Sequence, residues 1–483
     1  MNTDVLRFIR YLSFKMSCLQ EQEEFPLTLD VELCEKYLYE LEQKKEEKVE
    51  ALKKAMPKNP ITKKKEKPKV VYKKDGSLSS HGVKWFETLR ELKLPEDTAG
   101  PVTYVDSYED GNPNSTDQVK SWLFGLGWKP RTWKYVRDKV TGDERRIEQV
   151  RKEGHLCESV KELASKDPAI ELLDGLSVIT HRIGVLKGFM NARTGSSMDK
   201  VVSSAGGFTN TLRLQHRAPV VNLPGVEAEY GEWCRGVLVP ESGKVMIGAD
   251  VVSLEDTLKQ HYIQPYDPEY VEEMDAEGFD PHVSLAVEAG RVTQEEYNHY
   301  VECKNTGNES DPTYQKVHKI RKPFKTVNYA AQYSVGKKTL ARNSGMTEKE
   351  AQALLDTYWK KNWAVSKVAK EQYVKTLKDG TMWLKNPVNG FYYSLRYDKD
   401  RFSTLVQGTG DYVFNLWTMF CRKGGIKLHM NYHDEWLTSV PEGGQGEVYD
   451  KAQRAMDKVN EVLQLNKEIK MDAQEGYSYA ECH

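Results

Sequence analysis

The chain has 483 residues, 39% of them hydrophobic and 29% charged, and its 70 basic and 72 acidic residues leave a formal charge of −2. At about 150 residues per domain, this length suggests roughly three domains or one large lobed fold. No stretch approaches the ~18 apolar residues of a membrane span, the start MNTDVLRFIRYLSFKMSC lacks signal- or transit-peptide character, and seven cysteines without a Cys-x-x-Cys pair argue against a disulfide framework and a structural zinc site. A soluble, cytoplasmic protein with no membrane partner is expected.

From Asp30, VELCEKYLYELEQKKEEKVEALKKAM predicts one long helix, with Asp30 as its N-cap and Pro57 just beyond its end. Residues 57–113 are punctuated by Lys, Pro and Gly and read as an inserted loop or small subdomain, helical only over 83–94. Helical patterns return between Asn114 and Arg193. From Lys244 the texture changes: KVMIGADVV alternates as a strand does, and so does IKLHMNYHDEWLTSV, which folds back as a hairpin with His433, Asp434 and Glu435 at its tip. There is no internal repeat. The expected organisation is a helical N-terminal half followed by an α+β core.

Net charge names no partner, but the charges are segregated. Between Asp311 and Glu348 there is no carboxylate, while Lys316, Lys319, Arg321, Lys322, Lys325, Lys337, Lys338 and Arg342 all fall there. A second basic run spans Lys53 to Lys74, and acid is concentrated in Asp267 to Asp280. Basic faces on a near-neutral chain can hold a polyanion through phosphate contacts. For 57–75 a solvated Lys-rich loop is an equal reading.

Asp250 ends its strand, and Asp434 lies at the tip of a distant hairpin. If the two meet at one sheet edge, their repulsion calls for a cation, and hard oxygen ligands imply Mg²⁺. Two such ions about 3.5–4 Å apart would serve in-line phosphoryl displacement. Alone, these are weak signals. A third element adds weight: Arg321, Lys325, Tyr329 and Tyr333 recur every four positions. On a helix each such step passes a full turn by about 40°, giving one slowly drifting stripe. Cations followed by aromatics suit a nucleoside triphosphate. Pro323 suggests that this helix begins near Ile320 to Lys322, placing Arg321 at an anion-binding N-terminus. The competing reading is an ordinary amphipathic helix with its aromatics in the core.

Together these residues resemble the family A DNA polymerases, specifically the replicative enzymes of podovirus-type phages. Asp250 and Glu255 in DVVSLED resemble the family's first motif; Arg321, Lys325, Tyr329 and Tyr333 its second; His433, Asp434 and Glu435 its third. RLQHRAPVVNLPG (Arg213), FDPHVSLA (His282) and LVQGTGDY (Gln407) resemble three further segments in the family's order. The resemblance is strong over roughly 205–440, weaker over 1–56 and 114–204, and not evident over 57–113. Ser253, Asp256, Thr257, Pro323 and Ser334 depart from the pattern, Ser334 standing where Gly is usual.

The resemblance implies an α+β right-hand polymerase fold with helical thumb and fingers and an antiparallel-sheet palm. Its expected parts are a thumb-like region at 1–204 carrying the insertion 57–113, palm at 205–259 and 381–483, and fingers at 260–380. It implies a template-directed, primer-dependent DNA polymerase using two Mg²⁺ ions, for which Mn²⁺ can substitute, in phage genome replication within the host cytoplasm. Asp250, Asp434 and the Val251 carbonyl would hold the metals, with Glu435 beside them. Arg321, Lys325 and His282 would grip the dNTP phosphates, Tyr329 would face the sugar, and Glu255 would exclude a ribose 2′-hydroxyl. Tyr333, Arg213, Gln407 and His433 would contact primer and template. Asp30 and Glu32 imitate an exonuclease Asp-x-Glu, but an N-cap is the preferred reading, so no 3′–5′ exonuclease is expected in this chain and a separate one is a candidate partner. The insertion would bind a processivity factor or the duplex. A gap-filling repair polymerase, a single-subunit RNA polymerase and a silent primer–template-binding subunit are the alternatives.

Overall fold

Asp30 does cap a helix: its Oδ1 accepts the Leu33 N–H at 2.9 Å, and the helix Val31–Ala55 follows. The computed structural model describes residues 3–138 and 141–482. By contact the chain divides into Tyr37–Gly184 and a larger unit formed by Met1–Lys36 with Val185–His483.

The smaller unit is not simply helical, which corrects the expectation for the N-terminal half. Strands Asn59–Lys65 and Val102–Glu109 pair antiparallel, with Lys63 opposite Tyr104 and Lys65 opposite Val102. Trp133–Arg137 pairs with Glu144–Glu148 in a second two-stranded sheet, a hairpin. NPITKKK hid its strand because most of it is exposed, so no apolar alternation marks a face. The predicted helix is present as Ser80–Glu91, capped by Ser79, and buries Trp85, Phe86 and Leu89 with Val102 in a small local core. The segment 57–113 therefore folds as a subdomain. A separate core gathers Trp122, Leu123, Trp128, Val160, Ile170 and Leu173.

The larger unit is built on a four-stranded antiparallel sheet with spatial order Met430–Tyr432, Glu435–Pro441, Lys244–Val251, Met471–Gly476. Its core combines Ile247 and Ala249 with Phe414 and Trp417 of the helix Arg401–Lys423, and with Trp436 and Met456. Gly248 is required there, since a Cβ would lie 2.4 Å from the Cys482 carbonyl oxygen. A second core, from Val283 to Tyr358, holds the helices between the strands. The fold class is α+β, as expected. None of the seven cysteines is in a disulfide, and all are buried. Among the described residues no helix is long and apolar enough to cross a membrane.

Candidate active site

Residues 245–249 are all buried, so the strand is covered on both sheet faces until Asp250, which is exposed. Asp250 stands opposite Glu435, and one step further the Val251 N–H donates to the Asp434 carbonyl at 3.1 Å. The two acidic positions, distant in sequence, thus lie at one end of one sheet. A left-handed φ of 57° at His433 makes the hairpin tip that carries half-buried Asp434. Glu435 is buried, and its Oε2 accepts the Tyr479 hydroxyl at 3.2 Å. On the other side of Asp250, exposed Asp472 is the cross-strand neighbour. Like charges opposite one another in a sheet are destabilising, and a divalent cation relieves that repulsion. Accessible carboxylates with a nearby backbone carbonyl form a hard oxygen donor set that fits Mg²⁺.

The basic helix runs Pro312–Gln332, capped by Asp311, whose Oδ1 accepts from Thr313 N at 2.8 Å and Tyr314 N at 3.0 Å. This corrects the predicted start: Pro323 is inside the helix and Arg321 is in its middle, away from the N-terminal amides. Burial of Tyr314, Val317, Phe324, Val327 and Ala331 on one face holds the helix together across Pro323. Pro323 itself is exposed, so water can take the carbonyl that its missing N–H leaves without a helical donor. The predicted stripe does share the opposite face. Tyr329 is 52% and Tyr333 40% exposed, so neither belongs to the core.

Arg321 is held by Asp280, its Nε 2.5 Å from Oδ2, while Asp280 Oδ1 caps the helix Pro281–Glu288 through the His282 and Val283 N–H groups. Burial pushes the Asp280 carboxyl up, but Arg321 and these two N–H donors leave it below the ordinary range. Burial lowers His282 to about 4, with the cations of Arg321, Lys325 and Lys259 adding to the effect against Asp280. The His282 ring lies 5.6 Å from that of Tyr329, and Lys325 Nζ is 6.0 Å from the same tyrosine.

Glu255 joins the two regions. In the first turn of the helix Leu254–Ile263 that follows the Asp250 strand, it accepts the Tyr333 hydroxyl at 2.9 Å and Arg213 Nη2 at 3.1 Å. Gln407 is hydrogen-bonded to the same tyrosine. Burial and the Glu255 charge raise the Tyr333 pKa. Ser334 takes a φ of 54°, the conformation for which Gly is the ordinary choice, and its hydroxyl donates to the Lys399 carbonyl at 3.0 Å. His433 stands edge-on to His216 at 5.1 Å, and His216 lies 4.4 Å from Tyr432.

The family model described as DNA polymerase family A matches residues 102–481. This chain belongs to DNA polymerase family A. Two curated relatives, the DNA polymerase I proteins of Streptococcus pneumoniae strains ATCC BAA-255 / R6 and ATCC BAA-334 / TIGR4, are each 25% identical over 292 residues, 56% of this chain and 30% of theirs. The chain thus spans under a third of the length of these relatives. Among solved structures, the POL domain of Pol1 from M. smegmatis in complex with DNA primer-template and dNTP is similar in fold, with a TM-score of 0.64 at 16% identity over 96% of this chain and 69% of that one.

Several neighbours of the site in this family A chain were not singled out by sequence. Asp280 could have been suspected from its place just before a Pro-initiated helix. Lys259 gave no signal: it is buried, burial pulls its amine down to about 8, and it lies 5.5 Å from the Tyr270 ring. Asp472 and Tyr479 sit in a C-terminal segment whose approach to the sheet only the fold reveals. Among the described residues, His299, Cys303 and Asp311 also place donor atoms within 4.8 Å of one another. Asp311 there already caps a helix and accepts from His299, which accounts for the cluster without a metal.

Proposed function

We propose that the chain is a template-directed, primer-dependent DNA polymerase acting in phage genome replication in the host cytoplasm. The observation that carries this reading is the Tyr333–Glu255 hydrogen bond, which ties the basic, tyrosine-bearing helix to the sheet end where Asp250 and Asp434 converge. Asp250, Asp434 and the Val251 carbonyl would hold two Mg²⁺ ions, for which Mn²⁺ could substitute, while Glu435, held by Tyr479, shapes the site. When bound, the ions stabilise the entering and leaving oxygens of an in-line displacement.

The chain's own groups do the rest. Lys325, exposed on its helix, and Arg321, oriented by Asp280, meet the triphosphate and offset charge on the leaving pyrophosphate. His282, neutral near pH 7 and with its ring 5.6 Å from that of Tyr329, meets the same triphosphate as a neutral hydrogen-bond donor. Glu255 occupies the space a ribose 2′-hydroxyl needs. Tyr333 backs the templating base, and Arg213, Gln407 and His433 read minor-groove acceptors that are shared by all base pairs. Residues 205–259 and 381–483 form the palm and 260–380 the fingers; 1–204 serve as thumb, with 57–113 contacting a processivity partner or the duplex. Because Asp30 is used as a helix cap, the Asp30-x-Glu32 pair is not assigned to a 3′–5′ exonuclease site, and a separate exonuclease is a candidate partner.

Primer extension tests the reading. Wild type should add deoxynucleotides, Asp434→Ala should lose at least about a hundredfold in rate, and Glu255→Ala should admit ribonucleotides. Full activity in Asp434→Ala refutes the catalytic assignment. Degradation of a mismatched 3′ end by the pure protein that is lost in Asp30→Ala refutes the cap-only reading of Asp30.

A further inference from the structure

The most deeply buried cation in the larger unit is one the proposed chemistry does not use. Lys15, on the helix Thr3–Glu24, is 1% exposed, yet its Nζ donates to both Asp411 carboxylate oxygens, at 2.7 and 2.8 Å, and to the Leu212 carbonyl at 2.6 Å. Tyr11, one turn earlier, donates its hydroxyl to Asp411 Oδ2 at 2.6 Å. The ammonium also lies 5.5 Å from the rings of Tyr11 and Phe208.

A fully buried ion pair is a poor source of stability, since well-packed apolar residues often do as well or better. Its use is geometric: one ammonium with three fixed acceptors sets the separation of the segments that carry them. Leu212, in a left-handed φ of 67°, immediately precedes Arg213, which reaches Glu255. Asp411 lies one turn beyond Gln407, which reaches Tyr333. Between them, a side chain at Gly410 would stand 3.5 Å from Arg213 Nη2 and 3.4 Å from Leu254 Cδ2, so the helix, Arg213 and the turn bearing Glu255 are already in close approach.

We propose that Lys15 is a positioning residue: by clamping Leu212 to Asp411 it sets Arg213 and Gln407 around the Glu255–Tyr333 pair, and through that pair it controls discrimination between deoxy- and ribonucleotides. This rests on the polymerase reading and on the role given there to Glu255. Lys15 touches no substrate, so its effect must run through Glu255.

The test is the ratio of kcat/KM for a dNTP to that for the matching rNTP. Removing Lys15 alone strands a buried carboxylate, so the main variant is the apolar exchange Lys15→Met with Asp411→Leu, compared with wild type at matched Tm. The ratio should fall at least threefold, and the same exchange in a Glu255→Ala background should change it no further. A ratio that falls less than threefold, or an equal fall in the Glu255→Ala background, overturns the clamp. Should the exchange fail to fold, Asp411→Asn, of the same shape and without the charge, must lower the ratio threefold, and a smaller change overturns the proposal equally. Wild type that adds no dNTP would instead remove the polymerase reading itself, separately from the variant comparison.

Discussion

The unit Tyr37–Gly184 and the larger unit handle buried polarity in opposite ways. The smaller one is made of two-stranded sheets, most of the long helix Val31–Ala55 and several shorter helices over modest apolar cores, and its Lys-rich strand leaves its charges in water. The larger one buries Lys15, Asp411, Lys259, Asp280, His282, His429 and Glu435 within or beside extensive cores. Burying such groups costs free energy unless each is well partnered, so they persist where geometry must be held. The chemistry proposed above falls within the larger unit, where these groups are concentrated.

That contrast can be broken most sharply with two tryptophans. Trp436 and Trp85 are both fully buried, and replacing either with Ala should cost about 3–5 kcal/mol locally. Trp436 contacts Trp417 at 5.3 Å beneath the carboxylate sheet, so Trp436→Ala should lower the main unfolding transition and abolish primer extension. Trp85→Ala should open only the small core of residues 57–113 to proteolysis while single-nucleotide addition survives. Loss of addition in both variants would erase the distinction.

Acid should separate the units next. His216, His261, His282 and His429, all in the larger unit, are lowered by burial to about 4, from an ordinary value near 6.5. Between these values the unfolded chain binds the extra protons, so the stability they contribute is fully present above pH 6.5 and is lost as pH falls toward 4. In the smaller unit a lowered value belongs to exposed His181, with burial and Arg182 as its causes. Differential scanning calorimetry at pH 7 and pH 4.5 should show the larger unit's transition shifting further down. Equal shifts would count against it.

Smaller effects sharpen the comparison. Deleting 57–113 should shorten products in a processivity assay without slowing single additions, and unchanged product length would remove the partner role of that insertion. Ser334→Gly should relieve a left-handed backbone at the expense of one hydrogen bond to the Lys399 carbonyl, changing stability by less than about 1 kcal/mol. A large loss in that variant would mean the serine hydroxyl matters more than the backbone strain.

Much of the candidate site was legible because its residues sit at positions that local pattern marks. Asp250 and Asp434 interrupt apolar strands, and the stripe from Arg321 to Tyr333 has helical spacing. Where local rules failed, packing had overruled them. Pro323 argued for a helix start, yet a buried face from Tyr314 to Ala331 carries the helix through it. The strand Asn59–Lys65 carries no apolar alternation because its partner strand and the nearby Trp85 core, rather than its own sequence, hold it in place.

Residue type and spacing by themselves marked the side chains proposed for phosphoryl chemistry, because carboxylates, cations and aromatics at helix and strand periods are local properties. Only the tertiary structure decided which partners hold them: Asp280 on Arg321, Tyr479 on Glu435, and Lys15 between Leu212 and Asp411. Those contacts join segments hundreds of residues apart in some cases, and no periodicity within a segment encodes a neighbour that chain folding brings from so far away.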